Sequence, residues 1–232
     1  MGTAMDKSLL CLFQLCDSNF PTGAFSHSYG LETYIQSDKV HDQQSFTRWL
    51  RAYVNEQLVY SDGLACRLVY EALEKNDPQK IWKLDRMLTV QNLPRETRDG
   101  TQRVGDRMVL LVKSLYDIPV LTDYAERIKH NVSFGHPAIV FTIVGHHLGV
   151  PSSTTILYYL YSTVSSLVQN AVRAIPLGQT AGQKTIQEFQ RVLTEATDKV
   201  EAMDEDDFGI VSPGLELSQM QHERVNIRIF MS

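Results

Sequence analysis

Apolar residues return every three or four positions along nearly the whole chain, the spacing that puts them on one face of a helix. Phe46, Trp49, Leu50, Tyr53, Val54 and Leu58 form one such stripe. Val104, Met108, Leu111, Val112 and Leu115 form a second, and Leu160, Val164, Leu167, Val168 and Ala171 a third. Ile186, Phe189, Leu193, Ala196 and Val200 form a fourth. Asp42 or Ser45 stands where the first of these helices would begin, and Pro78 suits a first helical position, where its missing N–H costs nothing. Alternation of period two is missing over useful lengths. Asp62-Gly63 and Asp99-Gly100 fall inside helix-like stretches, not between alternating runs. The pattern predicts an all-α, single-domain helical bundle of about nine or ten helices with a tethered C-terminal segment.

Two stretches break the rhythm. Asp17 to Gly30, "DSNFPTGAFSHSYG", is rich in Pro, Gly and Ser and predicts an irregular loop between helices. Glu201 to Gly214 opens with five carboxylates in seven residues, whose mutual repulsion predicts a flexible acidic linker. Residues 215–232 then carry Leu215, Met220, Val225, Ile227, Ile229 and Phe230, an apolar tail in need of a docking surface. The expected organisation is a disordered segment over 1–8, with 1–4 a remnant ahead of a natural start at Met5. A helical domain over 9–200 follows, then the linker over 201–214 and a partner-docking tail over 215–232.

Composition narrows the function classes. A chain of 232 residues with 43% hydrophobic positions can bury a sizeable core unaided. The net charge of −5 argues against a broad nucleic-acid-binding face. Neither of the two most apolar windows, around His146-His147 and around Tyr158 to Ala171, offers the about 20 apolar residues of a membrane span. Cys11, Cys16 and Cys66 are an odd set without a CxxC pair, which fits a reducing, cytoplasmic setting. No secretory signal is legible at the start.

The chemical candidates are weak one by one. "AIPLGQTAGQKT", Ala174 to Thr185, looks like a phosphate loop, but three residues separate Gly178 from Gly182 where four are needed, and Gln183 splits Gly from Lys184. With a helix ending near Pro176, the stretch reads as a corner between two helices. His146 and His147 point about 100° apart on a helix and cannot share one ion. Cys11 and Cys16 are poorly spaced as a chelate, and the other histidines are scattered. No metal ligand set is assigned. Ser26, His27 and Ser28 are neighbours without an orienting acid, so no catalytic triad is assigned either.

Taken together, four stretches carry a family likeness. "FPTGAFSHSYGLE", Phe20 to Glu32, resembles the N-terminal signature of the UreF family of urease accessory proteins. "PRETR", followed by Gly105, resembles the central Arg-Glu helix of that family, and "LYSTVSSLVQNAVRAIPLGQTAGQ" its Arg-x-x-Pro-Leu-Gly-Gln turn. "LELSQMQHERVNIRIFMS" is similar to its carboxyl end. His27 stands where the family often has an aromatic residue, and "RVNIRIF" departs from the usual tail. The resemblance implies an all-helical, dimerising protein without an active site of its own. It implies assembly with the D/H-type accessory protein and the G-type GTPase on urease apoprotein, in support of nickel insertion. It implies no permanent cofactor, with nickel in transit and GTP bound by the partner. On that basis Pro21, Gly23, Phe25, Ser26, Ser28, Gly30, Leu31 and Glu32 of the loop are expected to meet the D/H-type partner. So are His222, Glu223, Arg228 and Phe230 of the tail. Arg173, Pro176, Gly178, Gln179, Gly182 and Gln183 form a corner expected to face the GTPase or a second protomer. The alternative is a helical interaction scaffold with no nickel role. No nucleic-acid or membrane partner is expected.

Overall fold

The computed structural model describes residues 2–232. Its α-helices are α1 (Gly2–Cys16), α2 (Leu31–Gln36), α3 (Gln43–Tyr53), α4 (Leu64–Glu74), α5 (Pro78–Gln91), α6 (Arg95–Leu115), α7 (Pro119–Lys129), α8 (Pro137–His147), α9 (Ser152–Ala174), α10 (Gln179–Ala202) and α11 (Pro213–Gln221). Between α3 and α4 runs a π-helix, Val54–Gly63, that joins them into one continuous rod. Counted as rods, the helices number ten among the described residues, and no strand occurs there.

At the centre lies α8, with every residue from Pro137 to Gly145 buried. A helix that is apolar all round has to be enclosed on all sides, and α4, α6 and α9 enclose this one. Gly145 permits close approach to α9, since a Cβ there would fall 2.5 Å from Thr155 side-chain atoms. The long helix α10 lies along α9. The stripes predict their buried faces well: Leu160, Val164, Leu167, Val168 and Ala171 are buried, as are Phe189, Leu193, Ala196 and Val200. On α6 the stripe runs off the core at its C-terminal end, where Leu115 is exposed.

Start signals settle on particular residues. Asp42 is the N-cap of α3: its Oδ1 accepts from the Ser45 amide at 2.8 Å, and Ser45 answers with a bond to the Asp42 amide. Pro78 opens α5 behind the Asp77 cap. No helix among the described residues is long and apolar enough to cross a membrane.

Three boundaries differ from expectation. Of the segment 1–8, residue 1 lies outside the described residues, and the rest is the opening of α1, not a disordered stretch. Leu12 and Leu15 bury one side of that helix, and Ser8 donates to the Leu148 carbonyl at 2.8 Å. The acidic stretch is tied down rather than free. Lys80 meets Glu205 at 2.6 Å, Arg67 donates to the Met203 carbonyl at 2.8 Å, and the Gly209 amide to the Tyr60 carbonyl at 3.1 Å. These cations relieve the repulsion that composition alone would predict. The third difference is the tail, which folds back onto α2 and α6.

Candidate functional site

Loop and tail form a single surface feature. Asp17 to Gly30 is irregular apart from one 3-10 turn, Ala24–Ser26, and Gly23, Tyr29 and Gly30 lie in the left-handed region. At Gly30 the choice is forced twice, by its φ of 87° and by Ser218 and Gln219 of α11 lying where a Cβ would go. The chain then enters α2 with Glu32 facing inward.

Glu32 is 1% exposed and gathers the tail around its carboxylate. Oε1 accepts from the Ile229 amide at 2.5 Å, and Oε2 from the Phe230 amide at 3.2 Å and from His222 Nε2 at 2.8 Å. The other ring nitrogen of His222 lies 2.6 Å from Glu96 Oε2, and Arg228 donates to Glu96 Oε1 at 2.7 Å. Ionised carboxylates only accept, so both His222 contacts are hydrogen bonds when both ring nitrogens carry hydrogen. Burial pushes the Glu96 carboxyl up, but hydrogen bonds from His222 and Arg228 outweigh it and hold it below the usual carboxylate range. The clasp thus runs as one chain of contacts from Glu32 through His222 and Glu96 to Arg228.

A second seam runs beside it. The Ser28 amide donates to the Ser232 carbonyl at 2.5 Å and the Met231 amide to the Ser26 carbonyl at 2.8 Å. His27 Nδ1 shares a hydrogen bond with Ser232 Oγ at 2.7 Å, and Asn170 donates to the His27 carbonyl at 2.7 Å. Burial, then the Arg103, Arg107 and His222 charges, pull the His27 imidazole down to about 4. Arg173, at the end of α9, donates to the Phe25 carbonyl and to Asn170 Oδ1 and lies over both the Phe25 and Phe230 rings, 5.6 and 5.1 Å from their centroids.

The sequence-expected residues therefore divide. Ser28, Gly30, Leu31, Glu32, His222 and Phe230 are buried and hold loop to tail. Pro21, Phe25, Glu223 and Arg228 face outward, with Gly23 and Ser26 between. Ser26 and Ser28 do not converge on His27 as a triad would: Ser26 Oγ donates to the Gly23 carbonyl at 2.7 Å, and Ser28 Oγ accepts from the Glu32 amide at 3.4 Å. At the α9–α10 corner, Arg173, Pro176, Gly178, Gln179 and Gln183 are exposed, and Gly182 is buried where a Cβ would crowd Val172 and Val168. Helices flank the corner on both sides, which is the geometry of a turn and not of a phosphate loop. Through Arg173 the corner joins the loop and tail. Sequence reasoning left out Glu96, Asn170 and Ser232. All three stand inside the quoted stretches, Glu96 in "PRETR", Asn170 ahead of the corner and Ser232 at the end of the tail, but none is singled out there.

Elsewhere, the π-helix delivers Asp62 to the interior, where its Oδ2 accepts from Tyr159 at 2.6 Å. Burial, with Asp62 adding to it, pushes the Tyr29, Tyr53 and Tyr159 phenols up. Asp85 accepts from Tyr124 at 2.6 Å and from the Phe134 amide at 2.8 Å, fixing the turn into α8. Among the described residues no group of three or more His, Cys, Asp and Glu is arranged to hold a metal ion.

Comparison with known proteins matches these features to a family. The UreF family model matches residues 40–190. The urease accessory protein UreF of Lachnoclostridium phytofermentans is 55% identical over 228 residues, which is 98% of this chain and 100% of that protein. A match of that length takes in the loop, the corner and the tail alike, and the chain belongs to the UreF family of urease accessory proteins.

Proposed function

We propose that this chain is a non-catalytic subunit of the assembly that matures urease. It joins the D/H-type accessory protein and the G-type GTPase on urease apoprotein and supports GTP-dependent nickel insertion, with nickel as cargo. The observation that carries the reading is the 55% identity along 228 residues to a urease accessory protein UreF. The geometry supports a docking role. Glu32 of α2 and Glu96 of α6 engage His222 and Arg228 of the tail, which shapes a surface and leaves Phe25, Ile227, Ile229 and Met231 exposed on it. On this reading the clasped loop and tail meet the D/H-type partner, and the corner from Arg173 to Gln183 meets the GTPase or a second protomer.

The test is urease activation in a reconstituted mixture of apoprotein, accessory proteins, nickel, bicarbonate and GTP, with and without this chain, alongside single-turnover GTP hydrolysis. Activation is expected to need the chain, and Phe25→Asp is expected to lower both activation and co-purification with the D/H-type protein. Equal activation without the chain would overturn the proposal.

A further inference from the structure

Under the 17–26 loop is a half-open cavity of about 120 Å³. Leu15 of α1, Phe20 and Phe25 of the loop, Val104 and Met108 of α6 and Phe141 of α8 give it an apolar side, and Ser165, Ser166 and Gln169 of α9 line it as well. Some of the polar groups on the wall are already occupied. Ser162 and Thr163 donate to the Tyr159 carbonyl at 2.9 and 3.2 Å, and Asp17 accepts from Asn19 at 2.8 Å. The volume of the cavity approaches the about 150 Å³ of apolar cavities that admit benzene, so it suits one Leu- or Phe-sized side chain.

Two cations on α6 adjoin its wall residues Val104 and Met108 in the chain. Arg103 and Arg107, one turn apart on α6, are exposed, and within the described residues neither has a carboxylate within 4.0 Å. Arg51, Arg67, Arg95, Arg191 and Arg228 each do, whereas Arg48, Arg86 and Arg98, like the pair, have none. The Arg107 guanidinium lies against Gly23, where a Cβ would fall 2.5 Å from Nη1, between the wall residues Thr22 and Ala24. Like charges at this spacing repel, and both bear on His27 strongly enough to help keep it neutral. In a chain of net charge −5, this uncompensated positive spot beside an apolar hole is a feature of its own.

We propose that the cavity and its arginine pair form a docking site for an acidic segment of a protein partner. One bulky apolar side chain enters between Phe25, Val104 and Met108, and flanking carboxylates meet Arg103 and Arg107. The cavity supplies the anchor, and the arginines supply register and charge selection. Phe25 belongs both to this cavity and to the loop assigned above to the D/H-type partner, so the site is tested by direct peptide binding, whose failure leaves the urease activation result standing.

The probe is the peptide acetyl-Asp-Glu-Phe-Glu-Asp-amide carrying a fluorophore, titrated with the full chain and followed by anisotropy. Saturable binding is expected. It should weaken about tenfold in the surface variant Arg103→Glu/Arg107→Glu, as rim charges allow. It should weaken at least as much in Ser166→Phe, which fills the hole from α9. A peptide with Gly in place of Phe should bind about tenfold more weakly, the loss of one buried side chain net of its ordering. Absence of saturation at millimolar peptide, equal affinity for the Gly peptide, or binding that survives both variants would each overturn the proposal. So would a chain dimer, seen by sedimentation, that Ser166→Phe dissociates while the peptide fails to bind, because a second copy would then own the cavity.

Discussion

Glu32→Gln tests the clasp with the least change of shape. The substitution removes the charge and puts an N–H₂ group where one oxygen accepted, against either the His222 ring or the Ile229 and Phe230 amides. Hydrogen bonds to a charged group contribute about 1.5–3 kcal/mol each. Breaking one side of a buried ion pair costs about 3–5 kcal/mol. The amide oxygen still serves one side, so a net loss of about 3 kcal/mol is expected for seating of the tail. That corresponds to about a hundredfold faster opening at 1.36 kcal/mol per tenfold. Amide hydrogen exchange followed by NMR reads it directly at Ile229, Phe230 and Met231. Amides of α8 serve as the control, since the core of α8, α4 and α9 does not depend on the clasp. The reasoning fails if exchange at Ile229 and Phe230 is unchanged while the protein stays folded, or if α8 loosens equally.

Further outcomes follow from single positions. Gly105→Ala places a Cβ 2.6 to 2.8 Å from the Gly135 carbonyl group and the His136 amide, backbone that cannot step aside, so a loss of about 2–3 kcal/mol is expected in urea unfolding. Gly178 caps α10 with extended φ and ψ, no side-chain bond and nothing within 4 Å of a Cβ. Gly178→Asp should therefore raise stability by a few tenths to about 1 kcal/mol, measured as a higher Tm. His27 sets a pH dependence. Its native value of about 4 lies below the ordinary imidazole value of 6.5, so the unfolded chain takes up the proton first as pH falls. Stability attributable to it is complete above pH 6.5 and drains away toward pH 4, by up to about 3 kcal/mol. His27→Gln should flatten that part of the urea-midpoint profile, and an unaltered profile would show that His27 titrates normally.

Much of this fold is legible in the sequence because helical periodicity is local. Leu160, Val164, Leu167, Val168 and Ala171 announce one face of α9, and the Asp42 and Pro78 start signals need only the next turn for their meaning. The corner at Gly178 and Gly182 is equally readable, since spacing alone rules out a phosphate loop. What escapes are interactions whose partners are distant in the chain. Glu32 and His222 are 190 residues apart, so a tail with apolar residues beyond an acidic run looks unattached until the fold brings α2 beneath it. The likeness in four motifs marked the loop and tail as important. It did not say that half of those residues bind each other. Nor does anything local announce the π-helix, whose sequence has ordinary helix formers.

That π-helix fixes the length of the chain as firmly as packing fixes its side chains. Each of its i→i+5 turns holds roughly one residue more than the 3.6 of an α turn, so the surplus sets the phase between α3 and α4. Removing one residue from Val54–Gly63 would rotate everything after it by about 100°. Cys66, whose Sγ meets the Ala138 carbonyl at 3.8 Å, would then swing off α8 while α3 stayed in place. Among proteins built on this plan, insertions and deletions should collect in the connections on either side and spare this rod, whatever residues occupy it.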